Sequence, residues 1–364
     1  MTFPRPDWKD LEPYEPGRVP IPVDLSDNTS LWGPHPAANA VLRELAEASV
    51  TRYPTTYADR LRAAVSARHR VPESCVTTGC GSDDILDSAF RAVARAGGKV
   101  SYLHPTFSMI EPLARVNGLE PLPVRWNPWE GPPPEPDTLL EGAPDLVYLC
   151  RPNNPTGMSV DRSWVESLLQ AASALPNGGP LVLIDEAYAD FASDSMLSGA
   201  ADLPRALVLR TLSKAYGLAG LRVGFAVGSP ATIRELDKSR GPYKVSAVAD
   251  AAAAAALEDE SGWIDNVVGE AHAMRGALAT ALRQRGFEPL PSEANFLLIN
   301  VEPRTGRDVL RALRDGGVAV RPFDIPGLFS AIRVTVAPWE LLEQFLMSFD
   351  QACEVLGLSE GGRP

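Results

Sequence analysis

The sequence predicts an α/β protein in two parts, a large unit built on a mostly parallel central sheet and a smaller α/β unit that follows it. Three observations predict this. Up to about residue 245, short runs that are apolar throughout alternate with helical patterns, the mark of parallel strands buried on both faces. The chain has 364 residues, a length at which one hydrophobic core stops growing and two are expected. Beyond residue 245 the pattern changes to long helices and a second set of strands.

Residues 1–36 hold eight prolines and read as an extended arm, because proline removes backbone donors and presets φ. Residues 37–245 form the large unit. In it, Ala37 to Ser49, Tyr57 to His69, Asp84 to Ala94 and Thr106 to Val116 carry apolar residues at helical spacing. Val100 to Leu103, Asp145 to Cys150, Leu181 to Ile184, Ala206 to Leu209 and Val223 to Val227 read as its strands. The segment from Asn127 to Pro136 has no periodic apolar face and reads as a surface loop. Residues 246–364 form the small unit. It opens with the alanine-rich helix Ala247 to Leu257 and a long helix from Trp263 to Arg285, with later helices at Gly306 to Arg314 and Trp339 to Leu356. Its strands are Asn295 to Val301, Val318 to Phe323 and Ile332 to Val336.

Composition narrows the function. With 34 Lys+Arg against 46 Asp+Glu, the formal charge is −12, which argues against nucleic acid as a partner. No window is apolar for long enough to suggest a membrane span. The start MTFPRPDWKD lacks the apolar core of a secretory signal, so the expected location is the cytoplasm. The cysteines Cys75, Cys80, Cys150 and Cys353 and the four histidines are scattered without ligand spacing. No metal site is expected, and the thiols read as buried and unpaired.

Four loops follow apolar strands or lead into a helix and hold the unusual polar residues, where open α/β sheets bind ligands. They are Gly79-Cys-Gly-Ser-Asp83, Arg151-Pro-Asn-Asn-Pro-Thr-Gly157, Asp185-Glu-Ala-Tyr188 and Thr211-Leu-Ser-Lys214. The chain has only five lysines, Lys9, Lys99, Lys214, Lys238 and Lys244, and Lys214 alone follows a buried strand. Desolvation there would lower its pKa and make it a nucleophile toward carbonyls. Asp185, directly after four apolar residues, must meet a cation or hydrogen-bond donors, and a pyridinium N–H would serve. Gly81, Ser82 and Asp83, entering a helix, together with Ser213 and Arg222, would cradle a phosphate. The third glycine of a dinucleotide fingerprint is missing, so a nicotinamide enzyme fits poorly. An amine, an acid for a ring nitrogen and a phosphate cup together describe pyridoxal 5′-phosphate.

The segment Thr211-Leu-Ser-Lys-Ala-Tyr-Gly-Leu-Ala-Gly-Leu-Arg222, with Asn153-Asn-Pro-Thr-Gly157 and Asp185-Glu-Ala-Tyr188, closely resembles fold-type-I pyridoxal-phosphate aminotransferases of the histidinol-phosphate aminotransferase group. Leu11-Glu-Pro-Tyr-Glu-Pro-Gly17 is similar to that group's arm, Arg52-Tyr-Pro54 to its subunit-crossing motif and Ile332-Arg-Val-Thr-Val336 to its substrate-anion strand. The resemblance implies that Lys214 carries the cofactor and moves the proton, that Asp185 keeps the ring nitrogen protonated, and that Tyr188 and Asn154 bond its phenolic oxygen. It implies further that Phe107 stacks on the ring, that Thr211 joins the phosphate group, and that Tyr53 reaches the phosphate from the other subunit of a homodimer. Arg333, with Arg321 and Tyr14, would take the substrate's anionic group. Tyr243 would line the side-chain pocket, and Asn28 is placed with the substrate. The partners implied are a small-molecule amino donor and a 2-oxo acid acceptor.

Departures from the group's pattern concern the substrate. The chain reads Asn28-Thr-Ser-Leu-Trp-Gly-Pro34 where the group usually has Asn-Glu-Asn-Pro-Tyr-Gly-Pro, and it ends the anion strand with Thr335-Val-Ala337. The expected activity is amino transfer from histidinol phosphate, as in histidine biosynthesis, or from a related anionic amine, with 2-oxoglutarate and glutamate as the second pair. An aromatic or specialised amino-acid aminotransferase is the rival, and a decarboxylase on the same frame a more distant one.

Overall fold

The computed structural model describes residues 3, 5–13, 19–44 and 51–358. In chain order the elements are β1 Val23–Asp24, α1 Pro36–Glu44, α2 Asp59–His69, β2 Val76–Cys80, α3 Ser82–Val93, β3 Lys99–His104, α4 Ile110–Val116, β4 Glu120–Arg125, β5 Leu146–Cys150, α5 Arg162–Ala174, β6 Leu181–Asp185, β7 Ala206–Thr211 and β8 Val223–Gly228. There follow α6 Pro230–Ser239, α7 Ala247–Glu258, α8 Trp263–Arg283, β9 Phe296–Asn300, α9 Gly306–Asp315, β10 Val318–Ala319, β11 Arg321–Ile325, β12 Phe329–Thr335 and α10 Trp339–Leu356.

Seven strands make the central sheet, in the order β2-β8-β7-β6-β5-β3-β4. Strand β8 is antiparallel to both its neighbours and the other pairs are parallel. Successive residues of β5 show why such strands are apolar throughout. Val147 and Leu149 enter the core on one face, while Leu146, Tyr148 and Cys150 enter the core on the other, as a period of two requires when both faces are covered. The mostly parallel sheet expected from the sequence is present.

The second sheet is antiparallel, in the order β11-β12-β9. Its core includes residues of α8, α9 and α10. The arm contributes here: β1 pairs in parallel with β10, Val23 against Val318, and Val23 and Leu25 join the same core. Helix α9 begins with a capping box, in which the Thr305 side chain accepts from the Asp308 N–H and Asp308 returns the bond.

Three expectations are corrected. The alanine-rich helix α7, expected in the small unit, packs on the large one. Ala249, Ala252, Ala253 and Leu257 lie in the core of the seven-stranded sheet, and Asp250 accepts the Leu61 N–H at 2.8 Å near the start of α2. The six-alanine run is what lets α7 approach its neighbours closely. The passage between cores therefore falls within α8, whose Ala271 belongs to the first and whose Leu278 and Leu282 belong to the second. The strand expected over Val318 to Phe323 is two strands in different sheets, divided at Val320. Of the cysteines expected to be buried, Cys75 and Cys150 are, Cys353 is half-buried and Cys80 is exposed at the end of β2. The part of the Ala37 to Ser49 helix beyond Glu44 lies outside the described residues. None of the described helices is long and apolar enough to cross a membrane.

Candidate active site

The topology brings the polar loops to one edge of the sheet. Strands β5, β6 and β7 end there with Cys150, Asp185 and Thr211. Because β8 runs the other way, its first residue returns to the same edge, so Ser213, Lys214 and Arg222 all stay there. Strand β2 and the start of α3 bring Ser82 and Asp83 from the far side. These residues line a cavity of about 380 Å³ together with Phe107, Asn154, Tyr188 and, from the small unit, Arg321, Phe323 and Arg333.

Lys214 Nζ donates to the Asp27 carbonyl at 3.1 Å and lies 5.6 Å from the centre of the Tyr188 ring. Burial, reinforced by the positive charge of Arg333, brings its pKa down to about 8. Asp185 is 3% exposed. Its carboxylate accepts from the Tyr148 hydroxyl at 2.7 Å and from the Ala187 N–H at 3.1 Å. Burial lifts its pKa to about 6, and these two donors limit the rise. The cavity thus holds an amine poised to lose its proton and an acid poised to keep one, which is the pattern of sites built for proton movement.

The next residue, Glu186, is fully buried and fixes the segment after β6. It faces Arg151 at 3.6 Å and Arg210 at 3.3 Å, and it accepts from Ser195 Oγ and the Met196 N–H. Such a network holds position even where its net stabilisation is small.

At the opposite end, Gly81 has φ +80°, and a Cβ there would lie 2.7 Å from Arg222 Nη2. Glycine lets the guanidinium fold over the loop. Arg222 Nη2 donates to the Asp83 carboxylate at 3.1 Å. What Asp83 offers an anion is therefore its backbone N–H at the start of α3, while its carboxylate balances Arg222. Thr211 and Ser213 hydroxyls lie 2.9 Å apart. Hydroxyls, one guanidinium and a helix start form a site for a phosphate dianion.

Arg333 and Arg321 are direct partners in the β11 to β12 register, and both line the cavity. Arg333 Nη1 donates to Asn154 Oδ1 at 2.5 Å and Nη2 to the Ser26 carbonyl at 2.7 Å. Its guanidinium stands 5.2 Å from the Phe296 ring and 5.5 Å from that of Phe323. With its oxygen taken, the side-chain nitrogen of Asn154 is what it offers an acceptor.

Asn28 and Tyr243 stand away from the cavity, and Tyr53, expected to serve the site of a second subunit, is exposed. Asn28 is fully buried and is not part of the cavity wall. Tyr53 and Tyr243 stack on each other on the surface, centres 4.9 Å apart, and neither lines the cavity of its own chain. Tyr14 lies outside the described residues. Sequence reasoning missed Tyr148, Cys150, Asp27 and Phe323. Only Tyr148 carried a signal: a lone hydroxyl in the apolar run DLVYLC must find an acceptor once buried.

A family model described as aminotransferase class I and II matches residues 20–348. An aromatic amino acid aminotransferase of Mycobacterium bovis is 35% identical over 94% of this chain and 96% of its own length. A histidinol-phosphate aminotransferase of Gluconacetobacter diazotrophicus is 33% identical over 95% of this chain and 93% of its own. Among solved structures, histidinol-phosphate aminotransferase of Sinorhizobium meliloti in complex with pyridoxal-5′-phosphate superposes with a TM-score of 0.82 at 26% identity, covering 93% of each chain.

Proposed function

We propose that this chain, which belongs to the aminotransferase class I and II family and uses pyridoxal 5′-phosphate to move amino groups, takes an aromatic amino acid as donor and 2-oxoglutarate as acceptor. The observation that carries the donor class is the wall around Arg333. The guanidinium that would take the α-carboxylate is flanked by Phe296 and Phe323, and the rings of Phe323 and Phe107 both line the cavity. Relatives at 35% identity named as aromatic amino acid aminotransferases support the same reading.

The cavity fits the cofactor in its chemistry. The hydroxyls of Ser82, Ser213 and Thr211, with Arg222 and the α3 start beside Gly81, suit its phosphate, Asp185 suits its ring nitrogen and Lys214 its aldehyde. Tyr188 and the Asn154 nitrogen would hold its phenolic oxygen, and Phe107 its ring face. When bound, the cofactor supplies an electron sink for the charge left on the donor's Cα. Asp185 holds a proton at the ring nitrogen end of the cavity, which that sink requires. Lys214 Nζ, whose proton affinity is lowered by burial and by Arg333, would take the proton from Cα and return it on the other side of the transfer. Arg333 orients the donor's carboxylate, and Arg321 can meet the second carboxylate of the acceptor. A homodimer is part of this reading: the stacked, exposed Tyr53 and Tyr243 are available to a second copy of the chain.

A second reading has its own observation. Arg321 directly beside Arg333 gives two cations in one wall, which would also suit a phosphate-bearing amine such as histidinol phosphate. Half-reactions of the loaded enzyme with a panel of amines decide between them. Faster conversion of the cofactor's absorbance by phenylalanine or tyrosine than by histidinol phosphate is expected, and the reverse order would overturn the donor assignment.

Lysine chemistry has a pH signature. With a pKa near 8, about a tenth of Lys214 is neutral at pH 7, against about one part in 3,000 for an ordinary lysine. Capture of pyridoxal phosphate by the cofactor-free protein, trapped with borohydride, should accelerate as pH rises and level off above about 8. Mass spectrometry should find the label on the peptide that contains Lys214.

A further inference from the structure

Asn28 lies behind the cavity wall and ties together three segments. Its backbone N–H donates to Thr335 Oγ1 at 3.0 Å, and its carbonyl accepts from Asn295 Nδ2 at 3.1 Å. Its side-chain Nδ2 donates to the Tyr188 hydroxyl at 3.0 Å, and its Oδ1 lies 3.2 Å from Thr335 Oγ1. Its φ of +58° lies in the left-handed region, which asparagine enters more readily than most residues. Thr335 stands two residues beyond Arg333 on β12, and Arg333 itself donates to the Ser26 carbonyl. Strand β12 therefore grips the chain on both sides of Asp27, whose carbonyl takes the Lys214 proton donor. The small unit also holds the Tyr188 ring, since Phe296 of β9 packs edge-on against it at 5.1 Å.

A phenol has one proton to give and two lone pairs. With the Asn28 amide seated on a lone pair, the Tyr188 proton is left for another acceptor. The charged and titratable groups that face Tyr188 are Lys214, Asp185, Cys150 and Arg333, and the cavity lies among them. We propose that Asn28 is a positioning residue, which fixes the Tyr188 hydroxyl as an acceptor so that its proton points into the cavity, and which makes that orientation depend on the seating of the strand that carries Arg333. The inference rests on the reading of the cavity as the pyridoxal phosphate site. It couples the anion-binding end of the site to the group that tunes the proton affinity at Lys214, through a residue that touches neither cofactor nor substrate.

The test is a pH titration of the visible absorbance of the loaded enzyme, with and without 3-phenylpropionate, a carboxylate that lacks an amine. Asn28→Gly removes the amide, keeps both backbone bonds and suits the positive φ. Asn28→Asp keeps the shape but presents only acceptors, which would draw the Tyr188 proton back toward residue 28. Withdrawing that O–H leaves an anionic oxygen in the cavity less stabilised, so a proton beside it is held more tightly. The Asn28→Asp midpoint should rise by about one unit, a tenfold change in the proton equilibrium. Both variants should lose at least half of the shift that 3-phenylpropionate causes in the native enzyme. Tyr188→Phe should move the midpoint by itself, and adding Asn28→Gly should move it no further. Variants that titrate like the native enzyme and respond fully to the carboxylate overturn the proposal, even if they melt earlier, because a purely structural role predicts that result. A native protein that gains no visible absorbance with pyridoxal phosphate overturns the cofactor reading beneath it, so the two failures are distinct.

Discussion

Replacing Lys214 with alanine lowers turnover by about 10⁴-fold or more and removes the reducible link between protein and cofactor. Both effects follow from one atom. Nζ is the amine that lies in the cavity, and its proton affinity is set for transfer near neutral pH. Three of the other four lysines have different employment: Lys238 pairs with Glu235 on α6, Lys244 with Asp84, and Lys99 Nζ donates to the Gly142 carbonyl. Lys238→Ala should leave turnover within about twofold, since exposed pairs of this kind contribute little. Unfolding is excluded as the cause of the Lys214 loss by a linkage measurement. The native state binds fewer protons than the unfolded chain between about pH 8 and the ordinary lysine value of 10.5, so the stability of the cofactor-free protein rises with pH across that window. In Lys214→Ala this rise disappears, and the variant is no less stable than the native protein below pH 8. Thermal melts of both cofactor-free proteins across the window check the sign. A variant that retained normal turnover would sink the assignment of the cavity as the active site.

Asp185→Asn should cost about 10³-fold in kcat/KM, near 4 kcal/mol of transition-state stabilisation, while making the cofactor-free protein more stable. The carboxylate is the buried anion at the end of β6, and an amide there turns an N–H toward the ring N–H that it should accept. Affinity for the cofactor falls with it. Stability moves the other way because the folded-state pKa of Asp185 is raised to about 6. Between its ordinary value and 6, the native state binds more protons than the unfolded chain, so stability declines as pH rises through that interval. At pH 7.5 this decline amounts to about 3 kcal/mol, and it vanishes in Asp185→Asn. Melting both cofactor-free proteins at low and at neutral pH should show a gap that opens as pH rises from about 4 to about 6 and stays constant above it. An equal gap at both would mean that the carboxylate is not charged in place.

Much of this site was legible because the strands that carry it are buried on both faces. In an apolar run such as LVLI, the first charged residue marks the sheet edge, and Asp185 was found in that way; Lys214 stood out as the one lysine that follows such a strand, whereas Asn154 came from the family resemblance. Other features left no such trace. Strand β4, Glu120–Arg125, contains Pro121 and Pro123 and pairs with β3 alone, and an edge strand can dispense with the donors that proline lacks. Strand β2 was obscured by Thr77 and Thr78, whose hydroxyls are satisfied by Asp237 and by the Tyr57 carbonyl. Helix α7 was assigned to the wrong core because alanine suits either one, and only its neighbours decide which it enters. The place of Asn28 was hidden for a similar reason: asparagine next to a substrate and asparagine buried behind the wall look alike until its four hydrogen bonds are traced.

Helix α8 carries one apolar stripe through both cores. Val267, Ala271, Leu278 and Leu282 are buried at spacings of four, seven and four residues, which keeps them on a single face. The angular phase of this helix therefore aligns the two bodies, much as a keyed shaft aligns two gears. One residue inserted near Met274 would turn everything beyond it by about 100° and advance it by about 1.5 Å. Arg333, whose strand β12 lies in the second body, would then leave a cavity whose amine and acid belong to the first. The length of α8 between its two anchors is thus a condition for having an active site at all, although no residue of the helix lines it.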